Sequence, residues 1–439
     1  MSSFVIKPKW ILHPQGSILE NQIIHIEDNT FTYIGKYDGS KIPHGTDVYT
    51  FDKGLVVPPF VNAHTHIPET LIRGICDDQD LHEWLYNHVW KVEPQMNKHD
   101  AKIGALLGIA EMIQSGTIGF IDQFYFSNEI ADAVSKTGVK AYLAPSIFEG
   151  NSETKTSEHA LDKNIEVLKK WHGYDNRIFI GFGPHAPYSV DDEMYTRIFN
   201  LAEEYDTIIH THLSETSREV NESKEKYDKS PIQKMHDLGI LKRIIAAHCV
   251  HVSDEDLQIL YKNRVTVLHN IQSNLKLGSG IARIPDMIAK GINVCLGTDG
   301  SASNNNLDML EEVRLNTLIH KGLNSDPKLI NSLSSLKMGT SNASKIFPNN
   351  SYSGEIKVGD PADLIVVDLS SVNNTPVINP ISNWIFSSYG NNINMTIANG
   401  TILYENGEFM TLDIADIKTK AQKSIERMMS SADYNPKIN

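Results

Sequence analysis

The chain has 439 residues, 40% of them hydrophobic and 21% charged, with a formal net charge of −14. That length calls for one large barrel or two to three domains, and the acidic balance disfavours nucleic acid and anionic membrane as partners, which need a basic surface. The three cysteines, Cys76, Cys249 and Cys295, are too few and too scattered for a disulfide framework or a Cys-x-x-Cys site, so a reduced, cytoplasmic setting is expected.

The first residues, "MSSFVIKPKWILHPQG", lack a basic stretch followed by a long apolar segment, so no signal peptide is expected. No apolar run approaches the roughly 20 residues needed to cross a bilayer. "SFVIKPKWIL", "QIIHIED", "FTYIGKY" and "VYTFDKGLVV" read as short strands between turn signals. The same texture returns in "SGEIKVGDPADLIVVDL" and "NMTIANGTILYENGEF". Both ends therefore predict one small β domain, residues 1–57 with 350–412, and residues 413–439 form a terminal helix and tail.

The middle, residues 58–349, alternates apolar strands with amphipathic stretches. The expected strands are Leu55–Asn62, Gly116–Asp122, Lys140–Phe148, Arg177–Gly183, Thr207–His212, Ile244–Cys249, Thr266–His269 and Asn293–Leu296. "HDAKIGALLGIAEMIQSG" and "DEMYTRIFNLAEEYD" read as helices, with Asp100 and Asp191 as N-caps. Eight such repeats predict a (β/α)8 TIM-like barrel, for which ~250 residues is typical. A doubly wound sheet would more often show a Gly-rich phosphate turn after an early strand, and no G-x-G-x-x-G stands there.

In a barrel the reacting groups lie at the C-terminal strand ends. The first strand is followed by His64 and His66, the fourth by His185, the fifth by His210, His212 and Glu215, the sixth by His248 and His251, and the eighth by Asp299. Side chains two apart on a strand share a face, so His64 and His66 can grip one cation, with His212 and Asp299 completing the set. Imidazole and carboxylate ligands suit Zn²⁺, with Fe²⁺ and Mn²⁺ as alternatives. His210 points inward one layer deeper, as a packed or supporting histidine. Trp84 and Trp90 in "LHEWLYNHVW" are candidates for an apolar wall.

These residues, with "PPFVNAHTHIPETLIRG", "GPHAPYSV", "HTHLSET", "AAHCVH", "HNIQSNLKLGSGIA" and "LGTDGSASNNNLDM", resemble the amidohydrolase superfamily. Within it the likeness is to the S-adenosylhomocysteine/5′-methylthioadenosine deaminase and triazine-hydrolase branch. The resemblance implies a barrel flanked by a β-sandwich built from both termini, and often a homo-oligomer. It implies one divalent metal per chain, because "RIFIGFGPHAP" lacks the bridging lysine of two-metal members. It implies a hydrolase that releases ammonia from an aminated N-heterocycle, foremost an adenosine-type nucleoside such as 5′-methylthioadenosine. Guanine or pterin deamination, s-triazine hydrolysis and a non-catalytic scaffold are the alternatives.

In that reading Glu215 protonates a ring nitrogen, His248 holds the nucleophile, and Asp299 both ligates the metal and relays protons. The resemblance places Glu93 on the ribose hydroxyls and His185 on the nucleoside. Relatives that take S-adenosylhomocysteine grip its amino-acid carboxylate with arginines after strand three. "APSIFEGNSETKTSEHALDKN" has only Lys155 and Lys163, so a substrate with an amino-acid tail is expected to bind poorly.

Overall fold

The computed structural model describes residues 3–40, 42, 44–150 and 153–435. The last four residues of the expected tail, 436–439, lie outside that set, as do residues 1–2 of the expected terminal domain.

The β texture at both ends produces a single nine-stranded sheet. From one edge its strands are Glu408–Phe409, Thr401–Glu405, Ile393–Ala398, Leu364–Asp368, Asp47–Val57, Ser3–Leu12, Ile23–Glu27 and Thr30–Gly35, with Ile18–Glu20 paired beside Ser3–Leu12. N- and C-terminal segments meet along one antiparallel register, Ile365 opposite Val57 and Val367 opposite Leu55. Phe4, Ile6, Ile24, Ile26, Val56, Leu364, Val366, Met395 and Ile397 bury their side chains in a core of their own. Alternate residues of Ile24–Ile26 and Leu364–Val366 face it, as the two-residue period of a strand requires.

The middle of the chain forms parallel strands separated by helices, in two four-stranded runs. One comprises Phe60–Thr65, Thr117–Asp122, Lys140–Leu143 and Ile178–Ile180; the other comprises Ile209–Leu213, Ile244–His248, Thr266–His269 and Val294–Leu296. Every residue of these eight strands is buried, as expected of parallel strands covered on both faces.

Three expectations need correction. The expected strand Leu55–Asn62 is two strands: Pro58 and Pro59, which have no N–H to donate, separate Asp47–Val57 of the terminal sheet from Phe60–Thr65 of the parallel set. Lys140–Phe148 and Arg177–Gly183 are likewise each interrupted, giving a separate two-residue pairing of Ser146–Ile147 with Gly183–Pro184. Asp100 is not an N-cap: Asn97 caps Lys98–Gln114, and Asp100 returns the hydrogen bond to the Asn97 N–H in a capping box. Asp191 does cap its helix, accepting from the Met194 N–H at 2.8 Å.

The parallel strands and the terminal sheet are joined by a buried ion pair. Lys140, fully buried, meets the Asp363 carboxylate and donates to the Ser351 carbonyl at 2.6 Å. Asp363 also accepts from the Asn399 N–H at 2.8 Å. Breaking one side of such a pair strands a charge in low dielectric, at roughly 3–5 kcal/mol. Asp363→Ala should therefore lower the thermal midpoint markedly, read by calorimetry, while Asp363→Ala with Lys140→Met should recover much of the loss.

None of Cys76, Cys249 and Cys295 is disulfide-bonded. No helix of the described residues is long and apolar enough to cross a membrane.

Candidate metal centre and substrate cavity

The C-terminal ends of the parallel strands converge on one cluster. His66 Nε2 stands 3.2 Å from Asp299 Oδ1, His64 Nε2 stands 3.3 Å from the same oxygen, and His212 Nε2 lies 3.3 Å from His66 Nε2. Tetrahedral Zn²⁺ with ligands at about 2.0–2.1 Å has ligand–ligand edges of about 3.3–3.4 Å, so the three measured edges match such a sphere. His64 Nε2 is buried with no hydrogen-bond partner among the described residues, as a ligand nitrogen aimed at a cation would be. His64, His66 and His212, and His64, His248 and Asp299, each form a group able to hold a metal ion.

Each ring is oriented by its other nitrogen. His66 Nδ1 lies 2.6 Å from the Gln123 carbonyl and His212 Nδ1 lies 2.8 Å from the His185 carbonyl. His64 Nδ1 faces His210 Nε2 at 2.9 Å, which places His210 directly behind His64. On His66 and His212 the carbonyl partner can only accept, so Nδ1 carries a proton and Nε2 is the nitrogen that would face a cation. Burial pushes His64 down to about 4 and His212 well below the usual histidine range, so both are neutral. At His66 burial also opposes protonation, but the Asp299 hydrogen bond and the Glu69 and Asp299 charges outweigh it and raise the value to about 10. Asp299 is held well below the carboxylate range: burial opposes this, but the neighbouring His64 and His66 imidazoles prevail. The cluster thus offers neutral imidazoles, one carboxylate, and a proton at the place a cation would take.

Local backbone aims these groups. His248 and Asp299 have φ of 71° and 66°, in the left-handed region that non-glycine residues avoid. His248 Nδ1 lies 2.8 Å from Asn274 Oδ1, and Asp299 Oδ2 accepts from Ser273 Oγ at 2.7 Å. Glu215 is 6% exposed, accepts from Ser279 Oγ at 3.1 Å, and lies 3.7 Å from His248 Nε2. Burial raises its pKa. The Ser214 and Glu215 N–H groups both donate to Glu219, at 2.9 and 2.7 Å, which locks the turn carrying Glu215.

A cavity of about 480 Å³ opens over the cluster, within the range of small-molecule sites. Of the expected substrate contacts, Trp84, Glu93, His185 and Glu215 all line it, with Trp90 and Phe148 among its apolar walls. Glu93 is 7% exposed and burial pushes it up to about 7; burial lowers His185 to about 3. His251 instead turns to the Ser279 carbonyl, at 2.7 Å, and is not among the cavity's lining residues. Among the described residues the lining holds five acidic residues, Glu69, Glu93, Glu149, Glu215 and Asp299, and no lysine or arginine.

Sequence reasoning missed Glu69, Gln123, Glu219, Ser273, Asn274 and Ser279. "HNIQSNLKLGSGIA" carries three of them, and Thr216-x-x-Glu219 has the capping-box spacing that could have flagged the fourth. Glu312 was missed as well. It is fully buried, accepts from Asn304 Nδ2 at 2.9 Å, and that amide also holds the Thr298 carbonyl at 2.7 Å, next to Asp299.

Burial pushes Glu312 up to about 8, so the folded chain keeps its proton where the unfolded chain has lost it. Its contribution to stability is full below the unfolded pKa of about 4.5 and is lost as pH rises through about 8. Glu312→Gln should flatten that decline between pH 5 and 8 in melting curves, as a rough window.

Comparison with known proteins agrees with this geometry. A family model described as "Amidohydrolase family" matches residues 55–403. A 5-methylthioadenosine/S-adenosylhomocysteine deaminase of Thermoanaerobacter pseudethanolicus is 38% identical over 418 residues, covering 94% of this chain and 95% of its own. A 5′-deoxyadenosine deaminase of Methanobrevibacter smithii is 38% identical over 442 residues, covering 98% and 99%. The crystal structure of an adenosine deaminase from Xanthomonas campestris with bound zinc superposes with a TM-score of 0.94 at 27% identity, covering 98% of this chain and 99% of that one.

Proposed function

The chain belongs to the amidohydrolase family, whose fold is of the TIM-barrel type, and from that premise we propose that it is a metal-dependent deaminase of adenosine-type nucleosides. The reaction converts an aminated ring carbon and water into a ring carbonyl and ammonia. The observation that carries this reading is the metal-ligand cluster with a buried carboxyl, Glu215, beside it in one cavity. Named deaminases of such nucleosides at 38% identity over most of the chain support it.

His64, His66, His212 and Asp299 would hold one divalent cation, Zn²⁺ before Fe²⁺ or Mn²⁺ on donor chemistry. When bound, such a cation lowers the pKa of water from 15.7 towards about 7 and so supplies a nucleophile at neutral pH. Glu215, whose pKa burial raises, donates in its acid form to the ring nitrogen beside the reacting carbon and makes that carbon electrophilic. His248, fixed through Nδ1 by Asn274, presents Nε2 to hold the attacking oxygen. Asp299 takes the proton of the attacking water and passes one to the departing ammonia. Glu93 accepts from the sugar hydroxyls, His185 contacts the nucleoside, and Trp84 supplies an apolar wall.

We read the parallel strands as a closed (β/α)8 barrel. The Asp299 N–H bonded to the His64 carbonyl at 2.9 Å supports a join between last and first strands, and the Phe182–Ile209 bridge supports one between the two runs. The terminal sheet reads as a β-sandwich, since strands from its two halves share one core. On this reading residues 1–57 with 350–412 form the sandwich, 58–349 the barrel and 413–439 the terminal helix and tail, in a cytoplasmic homo-oligomer.

Ammonia release from a panel of adenosine derivatives, guanine, pterins, cytosine and aminotriazines tests the assignment. Turnover confined to triazines or pterins would overturn it. A cavity whose described lining has five acidic residues and no lysine or arginine disfavours an amino-acid carboxylate. The kcat/KM on 5′-methylthioadenosine should exceed that on S-adenosylhomocysteine by at least ~10-fold, the worth of one missing charged hydrogen bond.

A further inference from the structure

Glu215 stands in the two-residue turn between the buried strand Ile209–Leu213 and Thr216, the N-cap of the helix Ser217–Tyr227. Ser214, the other residue of that turn, has φ of 54°, in the left-handed region that a non-glycine residue enters only at a cost. The Glu215 side chain is held from outside the turn: Ser279 Oγ donates to its Oε1 at 3.1 Å. Ser279 is itself fixed, by its N–H on the Asn274 carbonyl at 2.9 Å and by His251 Nε2 on its carbonyl at 2.7 Å. One hydrogen bond at the tip does not aim a flexible side chain, so the placement of the carboxyl depends on the backbone that carries it.

That backbone is held by Glu219. Thr216 Oγ1 accepts from the Glu219 N–H at 3.1 Å, which is one half of a capping box. In an ordinary box the glutamate returns a bond to the N–H of the capping residue, here Thr216. Glu219 reaches further back. Its Oε2 accepts from the Glu215 N–H at 2.7 Å and its Oε1 from the Ser214 N–H at 2.9 Å. Both bonds thus fall on the acid-bearing turn and not on the helix start. Glu219 is 8% exposed, and among the described residues it is absent from the lining of the substrate cavity. It therefore acts on Glu215 without occupying the space in which a substrate would react.

We propose that Glu219 is a positioning residue for the deamination, one that clamps the Ser214–Glu215 backbone so that the Glu215 carboxyl meets the ring nitrogen. The assignment rests on the deaminase reading and on the role of Glu215 given above, and goes beyond both. Without the clamp the turn leaves its left-handed conformation and the carboxyl moves off its target, and a shift of about 1 Å suffices to cost about 10²-fold in rate. The ligand His212 lies within the strand itself, in register with Ala247 of the neighbouring strand, so the metal cluster stays in place.

The test measures ammonia release from adenosine and 5′-methylthioadenosine, bound metal and thermal midpoint for the wild type, Glu219→Ala, Glu219→Gln, Glu215→Gln and the double variant Glu215→Gln with Glu219→Ala. Glu219→Ala should lose about 10²-fold in kcat with KM within about 3-fold and metal retained, and Glu219→Gln, which keeps one accepting oxygen, about 10-fold. In the Glu215→Gln background, where no proton remains to be placed, Glu219→Ala should cost less than about 3-fold further. Glu219→Gln, alone and combined with Glu215→Gln, decides the matter if the alanine variants do not fold. A glutamate that merely supports the helix would lower the thermal midpoint and leave the losses multiplying in the double variant. That result overturns the role of Glu219 alone, as does unchanged kcat or a loss accounted for by missing metal. Near-normal turnover by Glu215→Gln removes the acid and the Glu219 assignment with it. A metal-loaded wild type that releases ammonia from neither nucleoside overturns the deaminase reading and everything resting on it.

Discussion

Glu215→Gln should retain one metal per chain and lose about 10³-fold in kcat, within the 10²–10⁴-fold range of a positioned general acid. That loss corresponds to about 4 kcal/mol of barrier at 1.36 kcal/mol per tenfold. The amide keeps the shape and can still accept from Ser279, but it cannot transfer a proton to the ring. Because none of the four ligand positions changes, metal content separates this outcome from loss of the site. The pH dependence carries a sign. Burial raises the Glu215 pKa, and the acid form is the working form, so kcat falls as pH rises through that value. The glutamine variant should lose this alkaline limb. Near-normal turnover would remove Glu215 from the chemistry.

Asp299→Asn should damage more than one property at once. The carboxylate contributes the oxygen shared by His64 and His66, at 3.3 and 3.2 Å, and it is the negative charge that would balance a cation there. An amide is isosteric but neutral and a weaker ligand. Metal per chain, read by elemental analysis, should drop well below one, and kcat should fall by more than ~10³-fold because ligation and proton relay are lost together. Adding excess Zn²⁺ should restore metal content but not full rate. Restoration of both would confine Asp299 to ligation, and full metal in the untreated variant would take it out of the ligand set.

The strand-end logic made the cluster legible. His64 near the end of one strand and His66 just past it reach one point, and His212 near the end of another strand and Asp299, three residues past Val294–Leu296, meet them there. Apolar runs ending in His, Asp or Glu carry that information because parallel strands all end at one face. Element boundaries were less legible where proline intervened: Pro58-Pro59 hands the chain from the terminal sheet to the parallel set inside one apolar run. The cap of Lys98–Gln114 was misplaced by three residues because Asn97 and Asp100 each satisfy one half of the same capping box.

What the order of residues determined by itself was local and periodic. It comprises which segments become buried strands, which side chains share a strand face, and that imidazoles and a carboxylate stand at strand ends. The tertiary structure alone decided which of the remaining polar residues face the cluster. Glu69, Gln123, Glu219, Ser273 and Asn274 act through contacts 4 to 87 positions apart in the chain or by facing a cavity, as with Ser273 on Asp299, Gln123 on Pro184 and His210, and Glu219 on Glu215. A polar side chain in a loop has the same local signature whether it meets water or a buried partner. Only the closing of distant strands around one cavity removes the water and makes the difference.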